Sequence, residues 1–106
     1  MKQVKSLQVG GKEIKVLVEP FLWRETGNRG EYRIIKNEIA IQGTEGEVPD
    51  NMTQTLIHEV IEVIKNVWLD GSLEHHYIDP LAEALLQVLK QLGLRLEWTE
   101  DGLWIA

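Results

Sequence analysis

The sequence predicts an α+β fold, in which N-terminal antiparallel β-hairpins pack on two main α-helices and a small strand or hairpin follows at the C-terminus. Strand-like runs separated by turn residues fill the first part of the chain, helical apolar spacing dominates the second, and a strand pattern returns at the end. Strands and helices that occupy separate parts of a chain are typical of this fold class. The length of 106 residues corresponds to one domain, residues 1–106.

Four strands are predicted in the N-terminal part, and they pair as two hairpins. They cover residues 4–9, 12–18, 31–35 and 38–41. Gly10-Gly11 separates the first two runs and is typical of a tight hairpin turn. Pro20 ends the second run, because proline cannot donate a ladder hydrogen bond. The second hairpin is predicted to turn at Lys36-Asn37.

The first predicted helix covers residues 52–68 and follows a loop at 43–46. Pro49-Asp50-Asn51 supplies residues typical of a helix cap and first turn. Apolar residues then recur with the 3.6-residue period that places them on one helix face. They are Leu56, Ile57, Val60, Ile61, Ile64, Val67 and Trp68. Asp70-Gly71 is expected to end the helix.

The second predicted helix covers residues 81–92, and two starts are open. Asp79-Pro80 is typical of a cap followed by proline at the first helical position. Alternatively, Ser72 caps an earlier start and Pro80 kinks the helix. The apolar stripe of this helix consists of Leu81, Leu85, Val88, Leu89 and Leu92. The residues after Gly93 predict the small C-terminal hairpin, with strands at 94–98 and 103–105.

Composition narrows the classes of function. The chain has 43% apolar and 26% charged residues, as ordinary globular domains do, and it has no cysteine, which excludes disulfides and thiolate ligands. The net charge of −6 and the scattered basic residues argue against a nucleic-acid partner. No apolar run is long enough for a signal peptide or a membrane span, so we expect a cytoplasmic protein with no membrane partner.

The run His58-Glu59-Val60-Ile61-Glu62 in the first helix points to a metal site. Residues four apart share a helix face, with Cβ atoms about 5–6 Å apart, so His58 and Glu62 can bind one ion. Two histidines and one glutamate form an established catalytic zinc set. The second imidazole would come from His75 or His76, and Glu59 would be the general base acting on the metal-bound water.

The same residues also allow a simpler interpretation, in which they do not bind a metal. A His-Glu-x-x-Glu run on an amphipathic helix often forms a solvated acidic edge. His58 and Glu62 flank the apolar stripe, which suits a ligand pair but also suits an ordinary boundary. His75-His76 is equally compatible with a loop pair.

Three stretches carry a family resemblance: residues 30–41, residues 53–59 and residues 81–89. Together they resemble small phage- and prophage-encoded metallopeptidase-like proteins, related to the peptidase domain that cleaves phage-type repressors (the ImmA/IrrE-like group). That family pattern has a strand pair, a helix bearing Gln-Thr-Leu-x-His-Glu-x-x-His, and a second helix with an acidic third ligand. The resemblance implies a minimal zincin-like fold, Zn²⁺ as cofactor, and a protein or peptide substrate such as a repressor-type regulator.

Two departures from the family pattern concern the metal ligands. Glu62 stands where the family has its second histidine, and the third-ligand position, normally glutamate, falls at His75 or just beside it. The resemblance therefore implies that histidine and glutamate have been exchanged twice, in opposite directions, with the number of ligands retained. Of the two adjacent histidines, His75 is favoured over His76.

Two other functions compete with a zinc peptidase. The first is a catalytically inactive binding or structural module on the same fold, since a carboxylate in place of an imidazole would weaken the site. The second is a magnesium-dependent nucleotide pyrophosphatase, because Glu59-x-x-Glu62 fits half of its metal site. That enzyme class needs an all-helical fold and a second acidic pair on a later helix, where this chain offers only Glu83.

Overall fold

The computed structural model describes residues 1–43 and 47–106 and has the predicted α+β architecture. The strands are β1 (Lys2–Val4), β2 (Ser6–Val9), β3 (Lys12–Glu19), β4 (Gly30–Arg33), β5 (Glu38–Gln42), β6 (Leu96–Thr99) and β7 (Gly102–Ile105). The helices are α1 (Leu22–Thr26), α2 (Pro49–Trp68) and α3 (Ile78–Gln91), with a 3-10 turn at His75–Tyr77. Of the loop predicted at 43–46, residues 44–46 lie outside the described part.

The two predicted N-terminal hairpins are confirmed, and they join into one sheet with the strand order β2-β3-β5-β4. The pairs β2–β3 and β4–β5 are antiparallel, whereas β3 and β5 pair in parallel, with Val16 opposite Ile39. The chain reaches this arrangement because β3 ends before Pro20 and the short helix α1 carries it back toward β4. As a result β4 is an edge strand of this sheet.

The core lies between one face of this sheet and α2. Alternate strand residues point to the same face, and the apolar ones here pack against the apolar side of α2. The buried members of this cluster are Val9, Ile14, Val16, Ile39, Ile41, Met52, Leu56, Val63 and Leu103. The packing fixes α2 beneath β4.

The C-terminal hairpin is also confirmed, as β6 and β7, and β1 adds to β7 to complete a three-stranded antiparallel sheet. The Trp98 indole N–H donates a hydrogen bond to the hydroxyl oxygen of Thr53 on α2, at 3.0 Å. This contact ties the small sheet to the first turns of the long helix.

The start of α3 differs from both predicted alternatives. The helix begins at Ile78, so Pro80 lies in its first turn, where a backbone N–H would have no intrahelical partner. Asp79 is therefore inside the helix and not its cap, and Ser72 precedes the 3-10 turn without starting a helix. Neither long helix of the described residues combines the length and apolar content that a bilayer crossing requires.

The apolar stripe predicted for α3 is mostly exposed. Leu81, Leu85, Val88 and Leu92 are between 43% and 78% exposed. The buried residues are instead Ile78, Ala82 and Leu86, whose face lies roughly a quarter turn away. Ile78 and Ala82 pack with Ile61 of α2 and fix the orientation of the first turns of α3.

Candidate metal centre

An open cleft of about 740 Å³ lies between the edge strand β4, the N-terminal two-thirds of α2, and the segment at 75–79. Four of the five residues predicted for the site line this cleft: His58, Glu59, Glu62 and His75. The cleft wall opposite α2 is formed by β4 and the residues just before it. The predicted site residues thus share one concave surface of the described chain.

His58 and Glu62 lie one turn apart on α2, as their spacing predicts. The distance from His58 Nε2 to Glu62 Oε1 is 3.9 Å, and both side chains are largely buried, with 19% and 23% exposure. Both side chains line the cleft from the same face of α2.

His75 reaches the same point from the 3-10 turn that precedes α3. Its Nδ1 lies 3.0 Å from Glu62 Oε1, and its ring packs edge-on against that of His58 with centroids 5.4 Å apart. One ligand atom from each of His58, Glu62 and His75 lies within 4.8 Å of the others. These three residues form a group that could hold a metal ion.

The separations between these atoms can be compared with those of a tetrahedral zinc site. Zinc–nitrogen and zinc–oxygen bonds of about 2.0–2.2 Å place neighbouring ligand atoms about 3.3–3.6 Å apart. The two measured separations from Glu62 Oε1, 3.0 Å to His75 and 3.9 Å to His58, lie on either side of that range. The three ligand atoms lie within 4.8 Å of one another, so side-chain rotations that bring them to this spacing would let the donor set hold the ion.

His76 points elsewhere. Its Nδ1 lies 3.3 Å from a carboxylate oxygen of Glu74, and its ring stacks on Tyr77. The group of ligand atoms in the described chain contains His75 and does not contain His76. Because consecutive residues of a 3-10 turn point about 120° apart, only one of two adjacent histidines can face the cleft.

Glu59 occupies a buried position beside this group. The residue is 7% exposed, and its Oε2 lies 3.9 Å from His58 Nε2. Burial raises the pKa of the Glu59 carboxyl from 4.5 to about 7, and the neighbouring carboxylates of Glu62 and Glu31 add to the rise, whereas His58 and His75 oppose it. A buried carboxyl that titrates near neutrality can exchange a proton with a group in the cleft.

Gly30 explains how Glu59 becomes buried. A Cβ atom at Gly30 would lie 2.4 Å from Thr55 Cγ2 and 3.2 Å from Glu59 Cγ. The backbone of β4 can therefore approach α2 this closely only because residue 30 has no side chain. In the sequence, Gly30 ends a stretch whose composition is typical of a turn, and no local pattern indicates this close approach.

Asp79 is the site residue that sequence analysis missed. Its Oδ1 lies 2.7 Å from His58 Nδ1, although the residues are 21 positions apart. Because Asp79 precedes Pro80, the sequence predicted a helix cap at this position and not a contact with His58. The contact depends on how α3 packs on α2. An acidic residue near the start of a second helix that follows the motif helix is the only sequence signal for it.

Comparisons of the chain with protein-family models, curated proteins and solved structures found no significant match. What is established is the class of site: an α+β domain with a histidine–glutamate–histidine group and a buried glutamate in one cleft.

Proposed function

We propose that the protein is a zinc-dependent peptidase-like protein of phage or prophage origin. His58, Glu62 and His75 would hold the ion, and Glu59 would be the general base. The observation that carries the proposal is the convergence of the three ligand atoms within 4.8 Å, in a cleft that also contains a buried carboxyl group. The family resemblance of residues 30–92 supports the same class of protein.

The donor set supports zinc over other common ions. Two imidazole nitrogens and one carboxylate oxygen suit zinc, whereas magnesium and calcium prefer sites made of oxygen atoms. Bound zinc would polarise a substrate carbonyl and lower the pKa of a coordinated water toward about 7.

Glu59 has the properties that a general base requires. It lines the cleft, and its Oε2 lies 3.9 Å from Nε2 of the proposed ligand His58, so the carboxylate would be next to a water bound to the ion. A pKa of about 7 lets the group accept a proton and later return it near neutral pH. The carboxylate would take a proton from the attacking water and pass it to the leaving amine of the peptide.

The edge strand supports an extended peptide as substrate. β4 pairs with β5 on one side, and its other side borders the cleft directly above Glu59. Free backbone groups of an edge strand can hydrogen-bond an extended chain, which would lie across the ligand group. The resemblance suggests a repressor-type regulator as the partner. The protein would then act in the cytoplasm, and its partners would include neither nucleic acid nor a membrane.

Zinc binding can be tested by titrating metal-free protein in competition with a chromophoric chelator. We expect one zinc ion per chain at micromolar affinity or better, and loss of that binding in His58→Ala and His75→Ala. His76→Ala is the matched control, because it removes the adjacent histidine with similar exposure, 66% against 71%, and should bind as wild type does. Wild-type protein that binds no zinc at micromolar concentrations would refute the proposal.

Catalysis is tested separately with the variant Glu59→Gln. It should still bind zinc, because Glu59 is not in the ligand group, but it should cleave candidate repressors about 10²–10⁴-fold more slowly. Cleavage that is unchanged in Glu59→Gln would exclude this glutamate as the base.

One observation favours an inactive module on the same fold as the second candidate. The 3.0 Å contact between His75 and Glu62 is also that of a hydrogen-bonded pair, so the group can be held together without a metal. A protein that binds zinc weakly and cleaves no repressor, with or without Glu59, would support this candidate. The α+β architecture argues against a nucleotide pyrophosphatase, because that class of enzyme needs an all-helical fold.

A further inference from the structure

We propose that Asp79 is a positioning residue for the metal centre, which orients His58 and fixes its tautomer so that Nε2 is the metal-binding atom. This inference rests on the proposed function. It adds a residue from α3 to a group whose proposed members come from α2 and the 3-10 turn.

The direction of the hydrogen bond follows from its chemistry. A carboxylate can only accept, so in the 2.7 Å contact with Asp79 the His58 Nδ1 must carry the hydrogen. In the neutral imidazole the lone pair then lies on Nε2. Histidine in water has no partner that makes this choice, so Asp79 selects the form of His58 that can bind a metal through Nε2.

The geometry at the other side of the ring agrees with this role. His58 Nε2 faces the cleft, 3.9 Å from Glu62 Oε1 and 3.9 Å from Glu59 Oε2. A histidine that binds a metal through one nitrogen usually donates from the other to a carboxylate, a carbonyl or a water. His58 therefore has a carboxylate partner on Nδ1, and its Nε2 is left facing the other proposed ligands, where a metal ion would bind.

Asp79 is held in place by the packing of its neighbours. Ile78 and Ala82, on either side of it in the first turns of α3, have no exposed surface and pack on α2. The Asp79 side chain itself is 78% exposed, and in the described part of the chain its carboxylate is hydrogen-bonded to His58 and not to a backbone N–H of α3. Its contact with His58 is consequently not a by-product of burial or of helix capping.

The first test compares zinc affinity in Asp79→Asn and Asp79→Ala with that of wild type. Loss of such an outer partner typically weakens metal binding by about 10–100-fold. We expect the larger loss for Asp79→Ala, because Asn keeps an acceptor oxygen but not the charge. Glu83→Gln is the matched control, since it removes one negative charge from the same exposed helix one turn further on. Equal losses in Glu83→Gln and Asp79→Asn would overturn the inference by making it a general charge effect.

The second test reads the tautomer directly from the ¹⁵N chemical shifts of the His58 ring in metal-free protein. Wild type should show hydrogen on Nδ1 and a free lone pair on Nε2, and Asp79→Ala should shift toward the Nε2–H form. A merely structural role would not move this signature. An Nε2–H ring in the wild type would overturn the inference.

The outcomes separate this inference from the proposed function. Wild-type protein that binds no zinc refutes the metal centre and, with it, the role of Asp79. Wild-type protein that binds zinc, with Asp79→Asn and Asp79→Ala binding equally well, refutes only the role of Asp79.

Discussion

Replacing Glu59 with glutamine should change how the stability of the metal-free protein depends on pH. Burial raises the pKa of the Glu59 carboxyl from 4.5 to about 7 in the folded protein, while in the unfolded chain it titrates near its ordinary value. Between these values the folded protein keeps a proton that the unfolded chain has released. The free energy of unfolding therefore falls as the pH rises through this window.

The magnitude follows from the two pKa values. The stabilising contribution of protonated Glu59 is fully present below pH 4.5 and is lost as the pH rises through about 7. A tenfold change in the proton equilibrium is worth about 1.4 kcal/mol, so the full loss is about 3 kcal/mol. Glutamine is neutral at every pH and has no such loss. We therefore expect Glu59→Gln to match wild type near pH 4.5 and to be more stable by up to about 3 kcal/mol near pH 8.

Urea unfolding in the presence of a chelator, followed by tryptophan fluorescence, measures this difference. With a slope typical of a small domain, about 1–3 kcal/mol per molar urea, the midpoint of Glu59→Gln at the higher pH should rise by about 1–3 M. Glu83→Gln, at an exposed position of α3, should follow wild type at every pH. Parallel pH profiles for wild type and Glu59→Gln would refute the burial argument.

Three further predictions concern the fold and the site. Gly30→Ala should lower the free energy of unfolding by about 1–3 kcal/mol, because the added methyl group would clash with Thr55 Cγ2. A second substitution, Thr55→Ser, removes Cγ2 and should restore part of the loss. If urea unfolding shows no loss for Gly30→Ala, the close approach of β4 to α2 is contradicted. Trp98→Phe should lower the free energy of unfolding by about 1–3 kcal/mol, because the hydroxyl of Thr53 loses its indole donor and the larger ring is removed. An unchanged unfolding midpoint would show that this contact does not stabilise the protein. Zinc at 100 times its Kd should add about 2.7 kcal/mol to the free energy of unfolding of the wild type and raise its Tm. The Tm of His75→Ala should not rise. Equal Tm shifts in the two proteins would show that the ion binds elsewhere.

Local patterns predicted both long helices and the three hairpins, because turns and periodicity act over a few residues, but they did not predict α1, a separate β1 or the 3-10 turn. Gly10-Gly11 correctly marked the first hairpin, whose Gly10 and Gly11 both have positive φ values. The parallel pairing of β3 with β5 was not predicted, since it depends on where α1 returns the chain. Which side of an amphipathic helix becomes buried also depends on its neighbours, and for this reason the in-phase stripe that contains Leu85 does not coincide with the buried face of α3.

The site shows the same division between local and tertiary information. The fixed geometry of a helix predicts that His58 and Glu62 share a face, and the structure has that arrangement. The zinc ligand set predicted a second imidazole from His75 or His76, and the choice of His75 came with the resemblance, because its approach depends on how α3 packs on α2. The Asp79 contact depends on the same packing, and the cap-like position beside Pro80 favoured another interpretation.

The most direct test of the proposed metal centre is an anomalous-difference map, recorded at the zinc absorption edge, from crystals of wild-type protein purified without added zinc. We predict one peak within bonding distance of His58 Nε2, a carboxylate oxygen of Glu62 and a ring nitrogen of His75, in the cleft beside Glu59. A map without a peak at this position, or with the ion bound at His76 and Glu74, would contradict the proposed centre.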